Sequence, residues 1–587
     1  MTVAATNWAG NIRFRAERFH EPRTVAELQR IVAGSRSLRV LGTGHSFNAI
    51  ADTTGDLVSV AGLPRTVEPD GRAGTVRVSA GTRFGDLAGA LDRAGLALHN
   101  LGSLPHISVA GACATGTHGS GVANGCLATA VRSVELVTAD GDLVTLDRGA
   151  ARFPGSVVAL GALGVVTRLT LDVVPAFEVR QWVYEGLPTA VLRERFDEIM
   201  AAAYSVSLFT RWRGDRIDQV WLKRRGGPDA PGTWLGAVLA DGPRHPVPGC
   251  PPEPCTEQLG VPGRWHDRLP HFRQEFTPSS GDELQSEYFV ARPDAVRAFD
   301  ALDAVRERIA PALQIGEIRT VAADALWLSP AFRRDCVAFH FTWHPDAVAV
   351  ADAVGAVEEA LSGFAARPHW GKVFTMAPEA IRGSYPRWED FRRLLGEFDP
   401  AGTASPRPGR RPWRRRSGPR AAVATTVRTA AASTNSASAP WRSPATRPRL
   451  RCRRPHRRGR RGLPRRRDRR GRRGRPRRRG RSRRPQRRNR RRAVRAPRRR
   501  LRRARPGVRP RTSPPRARTA CYRSAARPCS PSAAACWPSE PGPVARARTA
   551  PDEGEPRPSA RPGFPPEAVS AGQRRRVRRP GRQGSRS

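Results

Sequence analysis

From Ser37 to about Pro175 the chain sets short runs rich in Val, Leu and Thr between Gly, Asp and Pro breaks: SLRVLGTGHS, DLVSVAGL, GTVRVSAGT, SVELVTADGDLVTL and GVVTRLTLDVVP. Runs of this length and composition predict strands. Ala139–Asp142 predicts a hairpin turn between two of them. Apolar spacing near 3.6 predicts helices over Thr24–Ser35 and Arg83–Ala94. The result is an α+β domain and not a clean βαβ alternation. Beyond Phe177 the runs lengthen to VRQWVYEG, SVSLFTRW, QVWLKRR, IGEIRTVAA and CVAFHFTWH, with helical segments at Pro293–Ile309 and Ala347–Leu361. That pattern predicts an antiparallel sheet with helices on one face. WEDFRRLLGEF at Trp388–Phe398 predicts a last amphipathic helix. No internal repeat is evident.

After Gly402 the pattern stops. The final 187 of the 587 residues hold 61 Arg, no Lys, 6 acidic residues, 28 Pro, three Leu and one Phe. Such a segment cannot bury enough apolar surface to offset an ordering cost of roughly 1–2 kcal/mol per residue, so disorder is expected over 403–587. The first 400 residues carry 42 basic and 46 acidic side chains, so the pI of 11.7 belongs to the tail. No run of 18 apolar residues suggests a membrane span. Met1–Arg15 lacks a secretory pattern. No cysteine spacing before residue 400 suits zinc. Cys250 and Cys255 flank a Pro-rich turn, but in a cytoplasmic chain free thiols are the expectation.

Two stretches carry chemistry. Val40, Leu41, Gly42, Thr43, Gly44, His45 and Ser46 follow a strand, and glycines around a threonine let backbone approach an anionic or planar ligand. Phe47 stands where a dinucleotide fingerprint would need its third glycine. Asn100–Gly121 is filled with small residues, including Ser103, Ser108, Gly111, Thr115, Gly116, Thr117 and His118, and permits close contact with an extended phosphate-bearing ligand. Glu317 and Arg319 alternate along a strand and share a face, as do His340, Thr342 and His344. As a metal site HxxxH fails in a strand, where four residues span about 13 Å. Lys372, in Pro-His-Trp-Gly-Lys beside Trp370 and Phe374, is one of two lysines, the other being Lys223.

GTGHSF and SLPHISVAGACATGTHGSG together resemble the covalent-flavin oxidases of the vanillyl-alcohol oxidase superfamily. The likeness is closest to bacterial alditol (xylitol) oxidases, with aldonolactone oxidases as their sister group, and runs from about Trp8 to Gly402. GALGVVTRLTLDVVP at Gly161–Pro175 resembles the flavin domain's closing strand, GEIRTVAADALWLSP the alditol oxidase signature, and HWGK is shared with the lactone oxidases. The resemblance implies a two-domain fold: a PCMH-type FAD-binding domain over 8–176, an antiparallel-sheet substrate (cap) domain over 177–375, and a return segment over 376–402. It implies FAD bonded to His45 and held by residues 40–46, Ser103, Ser108, Gly111, Thr115–His118 and Val166. Ser103, Glu317, Arg319, Thr342 and Lys372 are the implied substrate contacts.

The implied activity is oxidation of the terminal CH–OH of alditols by hydride transfer to flavin N5, with O₂ as acceptor giving hydrogen peroxide. Arg319 and Lys372 are the implied stabilisers of alkoxide charge, and His340 is a candidate base. An aldonolactone oxidase or dehydrogenase is the alternative. The expected partners are a small polyol and O₂, with no membrane and no specific nucleic acid, and the chain is expected to be a cytoplasmic monomer.

The tail supplies a rival from another class, a protein that binds polyanions nonspecifically through Arg457–Arg467 and Arg487–Arg492. The family continues past Asp-Pro-Ala-Gly with a lysine, an aromatic and an asparagine, whereas this chain departs after Gly402. Its composition there is what out-of-frame reading of GC-rich coding DNA produces, and a shifted frame is the expectation.

Overall fold

The computed structural model describes residues 6–227 and 230–404. The expectations of disorder, polyanion binding and an altered frame after residue 404 lie outside the described residues. The helices over Val25–Gly34 and Phe84–Arg93 form where the apolar spacing predicts them. Thr24 caps the first by accepting a hydrogen bond from the Glu27 amide, which satisfies one of the free N–H groups of the opening turn.

Two sheets make the N-terminal part. Arg18–His20, Leu38–Leu41 and Asp56–Ser59 form a small parallel sheet with Asp56–Ser59 in the middle. A five-stranded antiparallel sheet follows in the order Val67–Asp70, Thr75–Ser79, Val165–Asp172, Val131–Val137, Leu143–Asp147. Its Val131–Val137 and Leu143–Asp147 strands meet as the hairpin that Ala139–Asp142 predicts. Val78, Leu87, Leu91, Val109, Val134 and Leu169 fill the core between this sheet and the helices.

Residues 178–368 build a ten-stranded antiparallel sheet. At its centre Ser205–Thr210 pairs with Leu313–Val321, which pairs with Cys336–Trp343, which pairs with Leu284–Ala291. Every residue of Leu313–Val321 and Cys336–Trp343 is buried. Period-two alternation divides these residues between two faces. Ile318, Phe339, Phe341 and Tyr288 pack with Phe299, Leu302, Val354 and Val357 of the helices over Ala295–Ala304 and Ala347–Ala360. The opposite face carries Glu317, Arg319, His340, Thr342 and Glu287, which line a cleft. His344 falls beyond the end of its strand and is exposed, so it does not share that face.

The chain then returns. The helix over Trp388–Phe398 buries Phe391, Leu394 and Phe398 in the N-terminal core. Thr403 accepts from the Leu38 amide at 2.7 Å and Ala404 from Arg39 Nη1 at 3.0 Å, so the last described residues lie along the strand that leads into Gly42. No helix among the described residues is long and apolar enough to cross a membrane. Cys113, Cys126, Cys255 and Cys336 are buried free thiols, so Cys255 makes no bridge to Cys250.

Candidate active site

A cleft with about 1790 Å³ of free space, its open mouth included, runs between the glycine-rich loops and the polar face of the large sheet. Val40 to Ser46, Ser103, Ser108, Gly111, Thr115, Thr117, His118 and Val166 all line it. Gly116 does not. Its φ is +70°, and a Cβ there would meet Pro330 Cδ at 3.0 Å, so this turn has no room for a side chain.

The loops converge tightly. A Cβ on Gly42 would lie 2.7 Å from Ser108 Oγ and one on Gly111 2.8 Å from the same atom. The Ser108 amide donates to Thr43 Oγ1 at 3.3 Å. Among the described residues no protein acceptor takes the amides of Thr43, Gly44, His45 or Ser46. Backbone donors on a glycine turn beside a second small-residue wall suit a flat ligand with an anionic arm, and FAD has both.

His45 stacks on Trp8 with ring centroids 5.3 Å apart and planes 15° from parallel, and its Nδ1 lies 3.1 Å from Thr43 Oγ1. Burial first, then the nearby His106 and Arg83, lower its pKa to about 4, so the imidazole is neutral at pH 7. A neutral ring nitrogen keeps the lone pair that bonding to carbon requires.

At the far side a charged cluster crosses three strands. Strand register sets Glu317 opposite His340 and His340 opposite Glu287. Glu287, whose side chain is fully buried, accepts from Arg319 Nη2 at 2.6 Å and from Lys372 Nζ at 2.7 Å. Burial alone would raise its pKa. The charges of Lys372, Arg319 and His118 outweigh that and hold it well below the usual carboxylate range. Sequence reading missed Glu287; its signal was the one acid in the strand-type run Leu284–Ala291. His271 and His369, also missed, line the cleft too.

Lys372 Nζ also donates to His340 Nδ1 at 2.7 Å, so its surroundings are ionic and not the apolar ones that Trp370 and Phe374 suggest. With Nδ1 accepting, neutral His340 carries its proton on Nε2, which lies 3.1 Å from Thr342 Oγ1. Burial, reinforced by Lys372, keeps the His340 pKa well below the usual range. His340 therefore meets the cleft with its acceptor nitrogen already engaged. Arg319 Nη1 reaches Ser103 Oγ at 3.3 Å, which ties the second glycine-rich stretch to the cluster. Glu317 Oε1 accepts from His271 Nε2 at 2.8 Å, and Oε2 has no protein donor among the described residues.

Residues 16–147 match the FAD binding domain family, and residues 284–405, which contain every charged member of the cluster, match the D-arabinono-1,4-lactone oxidase family. An alditol oxidase of a Streptomyces species is 55% identical over 408 residues, covering 68% of this chain and 97% of that protein. The chain belongs to the alditol oxidase family. A more distant alditol oxidase relative is an L-gulono-1,4-lactone dehydrogenase of Mycobacterium tuberculosis, 30% identical over 425 residues, with 68% of this chain and 96% of that protein covered. Among solved structures, a solvent-stable cholesterol oxidase has the same fold at 15% identity, with a TM-score of 0.57 over 68% of this chain and 95% of its own. The cholesterol oxidase of B. sterolicum aligns with a TM-score of 0.55 at 16% identity, covering 68% and 95%.

Proposed function

We propose that this protein oxidises the terminal CH–OH of alditols of the xylitol and sorbitol class to the aldose, with O₂ as the final acceptor and hydrogen peroxide as product. The observation that carries this reading is the row Glu317, His340 and Glu287 with Arg319 and Lys372 against it, at the end of a cleft whose other wall is the FAD cradle. FAD, when bound, supplies the hydride acceptor and the reactivity toward O₂.

The protein's part is orientation and charge. A polyol offers many hydroxyls and no charge, so it must be aligned by a fan of donors and acceptors. A site built to bond a hydroxyl can reject an analogue lacking it by roughly 10⁴-fold or more. Glu317 Oε2 is an acceptor, and the Thr342 and Ser103 hydroxyls and the remaining N–H groups of Arg319 and Lys372 are donors. Arg319 and Lys372 face the oxygen that becomes alkoxide-like. His340, the candidate base, reaches the substrate hydroxyl only through Lys372, which occupies its Nδ1. Residues 40–46, Ser108, Gly111, Thr115, Thr117, His118 and Val166 hold FAD, and His45 bonds it covalently.

Peroxide release measured over a panel of xylitol, sorbitol, aldonolactones and simple alcohols tests the reading. Turnover of lactones alone would transfer the assignment to the second family whose pattern residues 284–405 match. His45→Ala should let flavin be extracted by acid precipitation, and flavin fully extractable from the parent protein would sink the covalent link.

A further inference from the structure

Lys223, the other lysine of the chain, makes no hydrogen bond to Glu287 or Arg319. It lies on Arg216–Arg224, on the same sheet face as the cleft residues, and is buried. Its Nζ is surrounded by the carbonyls of Arg268, Leu269 and Pro270 at 2.7–2.9 Å and by His271 Nδ1 at 3.1 Å. A buried lysine is costly unless its charge is held. The three carbonyls can only accept, and Nδ1 also accepts in the tautomer that carries the ring proton on Nε2, sharing one of the three ammonium protons.

His271 is neutral, because burial and then Lys223 lower its pKa to about 4 against the opposing charge of Glu317. Burial also pulls Lys223 well below the usual lysine range, opposed by Glu317, yet the acceptor cage favours the ammonium form. With Nδ1 accepting from Nζ, the one ring proton of His271 must sit on Nε2, pointing at Glu317 Oε1 2.8 Å away. The pair is wedged by Trp221 and Phe209, whose rings meet His271 edge-on at 5.1 and 5.5 Å.

We propose that Lys223 and His271 form a buried positioning relay for Glu317, fixing the imidazole tautomer so that one carboxylate oxygen is pinned and the other is presented, ionised, to a substrate hydroxyl. This rests on the cleft being the polyol site. The relay also balances charge. Glu287 is paired by Arg319 and Lys372, and Glu317 is paired through His271 by Lys223, which leaves one positive charge in excess beside the cleft. Without the relay, His271 could turn a bare Nε2 lone pair toward Glu317, which would then hold a proton on Oε1 and offer the substrate a neutral carbonyl oxygen, a weaker acceptor than the carboxylate. The other groups facing the pair are Arg319, His340 and Lys372 toward Glu317, and Arg268 and Cys255 toward Lys223. Burial raises the Cys255 thiol to about 12, so it stays uncharged.

The test compares kcat, KM for xylitol and the pH profile of kcat/KM in flavin-loaded variants. Glu317→Gln should lower kcat/KM about tenfold or more, the size of one mispaired buried hydrogen bond. An unaffected Glu317→Gln would overturn the polyol-site reading and the relay with it. Lys223→Met should lower kcat/KM by a similar factor, mainly through KM. It should also raise the pH at which activity falls on the acid side, since Glu317 protonates more easily without the relay. In the Glu317→Gln background Lys223→Met should add nothing. His271→Phe keeps the ring packing and should mimic Lys223→Met, whereas His271→Gln, with an amide N–H for Glu317 and a carbonyl for Lys223, should stay within a few-fold of the parent. This histidine pair decides the matter if Lys223→Met does not fold. An acid limb in Lys223→Met or His271→Phe that superimposes on the parent's, or a Lys223→Met effect fully additive with Glu317→Gln, overturns the relay.

Discussion

Glu287→Gln is the sharpest probe of the charged cluster, because it removes one charge and almost no volume. The Glu287 carboxylate holds two cations at hydrogen-bond distance with no exposed surface of its own. A unit charge pair near 4 Å is worth about 4 kcal/mol at an effective dielectric of 20, so two such attractions are at stake. Part is recovered: the amide oxygen still accepts one hydrogen bond, and Lys372 can shed its proton. Removing one member of a buried pair costs about 3–5 kcal/mol, and that is the expected loss at pH 7, read by urea unfolding followed through tryptophan fluorescence.

The loss should depend on pH with a definite sign. Burial already lowers the Lys372 pKa, against the pull of Glu287. Removing Glu287 lowers it further, so the unfolded chain binds more protons than the folded one over a wider range below the unfolded pKa. Stability then rises with pH in that window, and the deficit of the variant should shrink between pH 7 and pH 9. Equal stability of variant and parent at pH 7, with flavin bound in both, would refute the assignment of Glu287 as the common counter-ion.

Other outcomes follow from the same geometry. Arg319→Ala should lower kcat on xylitol by about 10²–10³, the cost of one preorganised stabiliser, whereas Thr342→Ala should cost only about 0.5–1.5 kcal/mol in kcat/KM; the opposite order would show that the guanidinium is structural. Gly42→Ala should reduce flavin content and cost about 1–3 kcal/mol by crowding Ser108 Oγ, and adding Ser108→Ala should restore most of both, as absorbance at the flavin band reports. His245 and His271 have folded pKa values lowered to about 4 by burial. Below about 6.5 the unfolded chain takes up protons that the folded one refuses, each pH unit being worth about 1.4 kcal/mol per group. Thermal stability should therefore fall as pH drops from 6.5 to 4, and a flat Tm across that window would contradict the buried neutral state.

Much of the site was legible in the chain because it rests on local rules. Glycines in Gly42-Thr43-Gly44 mark a close backbone approach wherever the loop lies, and period-two alternation puts Glu317 with Arg319 and His340 with Thr342 on common faces in any strand. Gly116 shows the limit of such reading, since composition names a small-residue wall without saying which of its residues line the cleft. Whether two strand faces meet depends on register. Only the pairing of Leu313–Val321 and Leu284–Ala291 with Cys336–Trp343 set Glu317 and Glu287 opposite His340. Glu287 and Lys223 were unreadable for the same reason. A buried charge in a strand is interpretable only when its partner is known, and here the partners lie 85 residues away at Lys372 and 48 residues away at His271. The sequence by itself therefore determined the cradle loops and the polar faces, because backbone geometry and side-chain alternation act over a few residues. Tertiary structure alone decided the ion pairs and tautomers, because burial and charge act between segments that only the folded sheet brings together.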